Sequence, residues 1–126
     1  MKKLIMITAM FMATSVWSKD FNCTVKEVFT VNPSGELQEG YVLPYKGMTF
    51  IADEESGNIS GLVMNNISSQ LCKPQVLSKG TSNDSFKLIT NCGYGTTAEY
   101  LTIKTYSNNE FLAIANNNVV LTGSCK

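Results

Sequence analysis

Histidine and arginine are both absent from this 126-residue chain, and its one tryptophan, Trp17, sits close to the start. Without histidine the commonest general base and the commonest metal ligand are missing, so Ser–His and Cys–His nucleophile pairs cannot form. Without arginine there is no bidentate reader of bases or phosphates, and no basic stripe stands in for it. Nucleic acid is therefore not an expected partner. Past residue 18, eight lysines face ten acidic residues, a formal charge of −2, so a polybasic membrane-binding patch is missing as well. No C-x-x-C pair occurs, which argues against both a thiolate zinc site and a catalytic dithiol. Neither a fixed-period repeat nor a low-complexity linker divides the chain.

What is present begins with an address. Lys2 and Lys3 precede an apolar run from Leu4 to Val16, broken only by Thr8, Thr14 and Ser15, and Ser18 offers a small exit residue. That order describes a secretory signal peptide over residues 1–18. The run falls short of the roughly 20 apolar residues a membrane span needs, and no cysteine follows for lipid attachment. The expected mature chain starts at Lys19 or Asp20, is not inserted in the membrane, and resides in the periplasm or the medium. Residues 19–126 then form one domain of ordinary size.

Its four cysteines, Cys23, Cys72, Cys92 and Cys125, are even in number, which in an exported chain reads as two disulfides. Sequence leaves three pairings open. Position favours Cys23–Cys125, joining the first and last strands, with Cys72–Cys92 pinning the middle of the chain.

The pattern along the chain is short strand, polar turn, short strand. Residues 46–64 show it best: Met48, Phe50 and Ala52 share one face, Thr49, Ile51 and Asp53 the other, and Gly57 supplies a left-handed turn before a returning strand at Ile59. Earlier, Phe21, Cys23, Val25, Phe29 and Val31 are expected on one face of a first strand, with a bulge where Glu27 interrupts them. Leu37 to Leu43 reads as extended up to Pro44, and Pro74 to Leu77 as a short strand. Residues 67–71 suit one helical turn. Further on, Phe86, Leu88 and Thr90 alternate with Lys87, Ile89 and Asn91. Between Thr97 and Tyr106, Glu99, Leu101, Ile103 and Thr105 share a face that Leu101 and Ile103 mark as buried. Asn108-Asn109 turns the chain into Phe111–Ala115, and Val119–Thr122 closes it. The expected fold is all-β: a small, disulfide-stapled antiparallel barrel or sandwich of about eight short strands.

Candidate functional residues are few. Asp53, Glu54 and Glu55 are the nearest thing to the paired carboxylates of a glycosidase, but a solvated turn holding an edge soluble explains them as well. Asp53 to Asn58 also lacks the spacing of the twelve-residue calcium loop. No cofactor and no metal are expected. Tyr94, Tyr100 and Tyr106, with Tyr41 and Tyr45, suit either half-buried strand positions or a recognition surface. Asn-x-Ser/Thr sequons fall at Asn22, Asn58, Asn66 and Asn83.

Phe21-x-Cys23-Thr24, Tyr45-Lys46-Gly47-x-x-Phe50 with Asp53, Ser56-Gly57 and Gly61, and Gly123-x-Cys125 together resemble small uncharacterised secreted proteins of Gram-negative bacteria. The resemblance spans most of residues 19–126 and implies a secreted β-domain without a known activity. Where such proteins carry an arginine in the hairpin turn this chain has Glu54-Glu55, so any role of that arginine does not carry over. The functional expectation is a secreted or periplasmic, non-enzymatic binding module with a protein or glycan partner, such as an inhibitor that occludes its target. Its surface would draw on Asp53, Glu54, Glu55, Tyr94, Tyr100 and Tyr106. The Ser-Gly-x-x-Tyr loop of exported lysozyme inhibitors is missing, since Ser56-Gly57 is followed by Asn58, Ile59 and Ser60. The alternative is a carboxylate-dependent periplasmic hydrolase.

Overall fold

The computed structural model describes residues 19–39, 45–67, 70–93, 97–115 and 118–126. Residues 1–18, expected to be a leader, Tyr41, Tyr94 and the middle of the 67–71 turn lie outside the described residues.

Among the described residues nine strands form: β1 Asp20–Val31, β2 Leu37–Glu39, β3 Thr49–Asp53, β4 Ile59–Gly61, β5 Lys73–Lys79, β6 Phe86–Cys92, β7 Thr97–Lys104, β8 Glu110–Ala115 and β9 Val119–Cys125. All belong to one antiparallel sheet in the order β4-β3-β1-β9-β8-β7-β6-β5, with β2 pairing the far half of β1. The sheet curls into a half-barrel, so of the two expected architectures the barrel side holds. Both disulfides have the expected pairing. Cys23 and Cys125 are direct cross-strand partners at one end of the sheet, and Cys72–Cys92 ties the start of β5 to the end of β6 at the other.

Alternation explains the inner face. Phe21, Cys23 and Val25 of β1, Phe50 and Ala52 of β3, and Phe86 and Leu88 of β6 point inward and are buried. Leu101 and Ile103 of β7, Phe111 and Ala113 of β8, and Leu121 of β9 complete the core. Phe21 meets Phe86 across the curl at 5.1 Å, and Phe50 meets Phe111 edge-on at 5.2 Å. Each such ring removes enough apolar surface from water to contribute about 1.5–3 kcal/mol.

One expectation about β1 is overturned. The bulge lies where Glu27 suggested, between Val25 and Glu27 in the pairing with β9. An extra residue inverts the alternation beyond it. Val28 therefore turns inward, while Phe29 is only half-buried on the outer side and Val31 is exposed. Boundaries also move: β5 runs two residues beyond Leu77, and β9 continues through Cys125 because it pairs with both β1 and β8.

β4 and β5, the two outer strands, do not pair with each other. The tip of the β3–β4 hairpin bridges the seam between them. Gly57 has φ +74°, and a Cβ there would sit 2.7 Å from Leu88 Cδ1 of β6 and 3.1 Å from Val76 Cγ2 of β5. Asn66 closes the same seam with polar groups. Its backbone N donates to the Ile59 carbonyl at 3.0 Å, and Ile59 N donates to its Oδ1 at 2.6 Å. Its Nδ2 donates to the Gly57 carbonyl at 2.9 Å and to Thr90 Oγ1 at 3.0 Å. One asparagine thus stands in for a missing strand, satisfying the β4 edge and tying it to β6.

Candidate functional site

The acidic hairpin tip is tied up by its own contacts. Ser56 donates to Asp53 Oδ1 through both its backbone N and its Oγ, at 2.5 and 2.6 Å, which fixes the turn. Glu55 pairs with Lys79 of β5, both side chains being well exposed. Glu54 is half-buried, and its backbone N donates to the Lys19 carbonyl at 2.9 Å. These three residues brace the seam and the chain start.

The tyrosines do not gather with them. Tyr106 is 52% exposed in the β7–β8 turn, at the Cys23–Cys125 end of the sheet, whereas the hairpin turn at Gly57 packs against Pro74, Val76 and Leu88 of β5 and β6. Tyr100 stands on the outer face of β7, a full four residues, about 13 Å, back from the strand's end at Lys104. Tyr94 lies outside the described residues.

Tyr100 instead belongs to a band across the convex face. Ile89, Tyr100, Ile114, Val120 and Phe29 are successive register partners on β6, β7, β8, β9 and β1. Each is half-buried. Four strand spacings make the row about 19 Å long. Beside it, Leu112 is 40% exposed in a shallow groove of about 460 Å3 that Lys26, Glu27, Thr102, Lys104 and Thr122 help to line. The opposite charges there are partly spent on each other or on neighbours: Lys104 pairs with Glu110 at 3.8 Å and Glu27 with Lys46 at 3.3 Å. The bulge places Lys26 and Glu27 side by side at the rim of this groove.

The residue that sequence reasoning passed over is Glu99. It lies on the inner face of β7, two positions from Leu101, and is only 8% exposed. Its Oε2 is sealed from solvent and has no hydrogen-bond partner among the described residues. Burial pushes its carboxyl above the ordinary 4.5, since removing a carboxylate from water disfavours the charged form. Directly opposite on β6 is Thr90, whose Oγ1 accepts from Asn66. The signal was in the alternation, which set Glu99 on the Leu101 face; a glutamate at a core position is a polar group without an apolar reason to be there. By contrast Asp84 is exposed in the β5–β6 loop, and hydrogen bonding from Lys87 holds its carboxyl below the usual range.

Asn66, one of the sequon asparagines, is buried with its amide committed to three partners, so it forms part of the interior and not of a glycan-bearing surface. Among the described residues no group of three or more His, Cys, Asp or Glu is placed to hold a metal ion, and no helix is long and apolar enough to cross a membrane. Compared with protein-family models, with curated proteins and with solved structures, the chain finds no match.

Proposed function

We propose that this protein is an exported, non-enzymatic binding module of the periplasm or medium that engages a protein partner through the convex face of its sheet. The observation that carries the reading is the in-register row Ile89–Tyr100–Ile114–Val120–Phe29, apolar across five strands and flanked by the Leu112 groove. Outer faces of small sheets are ordinarily polar, and an apolar band ringed by charge is the usual anatomy of a protein contact. Two disulfides at opposite ends of the curl support an oxidising destination and a rigid surface, the property an occluding inhibitor needs. The leader pattern and the resemblance to secreted β-proteins support the same destination.

The test is capture of envelope proteins on the immobilised protein, with Ile114→Lys as the interrupted surface and Glu55→Ala as a control away from it. A partner retained by the parent and by Glu55→Ala, but lost with a folded Ile114→Lys, is the expected result. Equal retention by Ile114→Lys removes the convex face from the function. The rival hydrolase reading has one observation in its favour, the raised carboxyl of Glu99, a property of general acids. Turnover of a glycan or peptide substrate, abolished by Glu99→Gln, would replace the binding reading.

A further inference from the structure

We infer that the free edge of β5 is a docking site for an extended, acidic segment of another polypeptide, added to the sheet as a further strand. This edge is separate from the convex row, and the inference does not rest on the reading of that face.

Backbone geometry opens the edge. β5 is the last strand of the sheet and pairs with β6 on one side; among the described residues no strand pairs its other side. Pro74 fixes which groups face which way. It is the register partner of Thr90 but has no N–H to exchange, so the ladder bonds to β6 fall at Lys73 and Gln75. The alternate residues turn their backbone away from β6, and the Pro74 carbonyl points to the free side with the Val76 N–H and carbonyl. Outside the β6 ladder neither Pro74 nor Val76 hydrogen-bonds another described residue. A row of such groups is a template for an added strand. The seven residues of β5 give it about 23 Å of edge. A groove of about 420 Å3 lies along it, lined by Pro74, Val76 and Leu77 of β5 and by Glu55 and Ser56 of the hairpin tip. Leu77 is 53% exposed there.

Charge selects the occupant. Beyond residue 18 the chain is acidic overall, yet β5 carries two lysines, Lys73 and Lys79, and no acid. Lys79 pairs with Glu55, a carboxylate already seated at this edge, and Lys73 makes no ion pair with a described residue. A second copy fits poorly. Val76 offers both its N–H and its carbonyl, so two antiparallel β5 strands would meet about Val76. That register sets Lys73 of each copy opposite Lys79 of the other. Like charges directly opposite are destabilising, and edge lysines of this kind guard against self-pairing. A foreign strand with carboxylates at the matching positions turns the same lysines into an attraction, while apolar side chains between them cover Leu77.

The experiment follows backbone amides of the folded, oxidised protein by NMR hydrogen exchange as a synthetic peptide is added. The probe is acetyl-Glu-Thr-Val-Thr-Val-Thr-Glu-amide. One control carries Lys in place of both Glu, and a second carries Pro in place of the central Thr. Saturable binding of the acidic probe is expected, with at least tenfold slower exchange at the Val76 N–H and at least tenfold weaker binding of either control. Lys73→Glu, a change at an exposed side chain, should weaken the acidic probe and strengthen the lysine peptide. Ile114→Lys should bind the probe as the parent does, so loss of the convex-face partner leaves this result standing. No slowing at Val76, or equal binding of the proline-interrupted peptide, overturns strand addition. Equal binding of the lysine peptide overturns the acidic assignment. Protection of Val76 that rises with protein concentration in the absence of peptide gives the edge to a second copy, and overturns the inference too.

Discussion

Gly57 and Gly35 make a matched pair for testing whether the hairpin tip closes the seam. Both have positive φ, +74° and +83°, so an alanine at either strains the backbone by about 1–2 kcal/mol. Their surroundings differ. A Cβ at Gly35 meets nothing within 4 Å, whereas one at Gly57 falls 2.7 Å from Leu88 Cδ1 and 3.1 Å from Val76 Cγ2. Leu88 is buried in the core and cannot swing away without displacing its neighbours, and Val76 is stiff at χ1. Overpacking of that kind costs a further 1–3 kcal/mol or so. Gly57→Ala should therefore lose about 2–5 kcal/mol against about 1–2 for Gly35→Ala. Urea melts of both variants with disulfides intact measure the difference. Equal losses would mean that the tip does not press on β5 and β6, and the seam would then be held by Asn66 alone.

Phe50→Ala should cost about 3–5 kcal/mol in the same melts, since the ring is 1% exposed and its removal leaves a cavity against Phe111. Asn66→Ala strands the Ile59 N–H and the Gly57 carbonyl at the seam, and a loss of about 2–4 kcal/mol is expected. Glu55→Ala should stay within about 0.5 kcal/mol of the parent, because its pairing with Lys79 is exposed; a severe loss would move the site to the hairpin tip.

Much of this fold is legible in the residues. Alternation assigned the inner faces of β3, β6 and β7 because one side of each is buried and the other is not, which is the condition under which period two carries information. Gly57 and the Asn108-Asn109 turn, with φ of 48° and 50°, follow from which residues tolerate a left-handed backbone. The outward turn of Phe29 and Val31 was not legible. Glu27 located the bulge, but a bulge inverts everything beyond it, and the new face is chosen by the partner strand, which here sets Val28 opposite Leu121. The role of Asn66 was hidden for a similar reason. Its partners Gly57, Ile59 and Thr90 lie up to 24 residues away, and nothing local distinguishes it from a loop asparagine. The convex row was equally non-local, since its five members meet only through register.

Glu99 is where the structure and its chemistry meet most directly, and stability as a function of pH measures it. Its carboxyl is raised in the folded chain, so between the ordinary 4.5 and that raised value the native state holds a proton that the unfolded state has lost. The contribution of Glu99 is thus most favourable below about pH 4.5 and is lost as pH rises through the folded value. Asp84 acts in the opposite sense, stabilising above its ordinary 3.8 and losing that as pH falls, so the parent alone gives a mixed slope. Subtracting the stability of Glu99→Gln at each pH isolates the glutamate. As pH rises above about 4.5 the variant should gain on the parent and then level off once the folded carboxyl has ionised. A difference that stays flat, or that favours the parent as pH rises, would show Glu99 already matched as an anion within the fold.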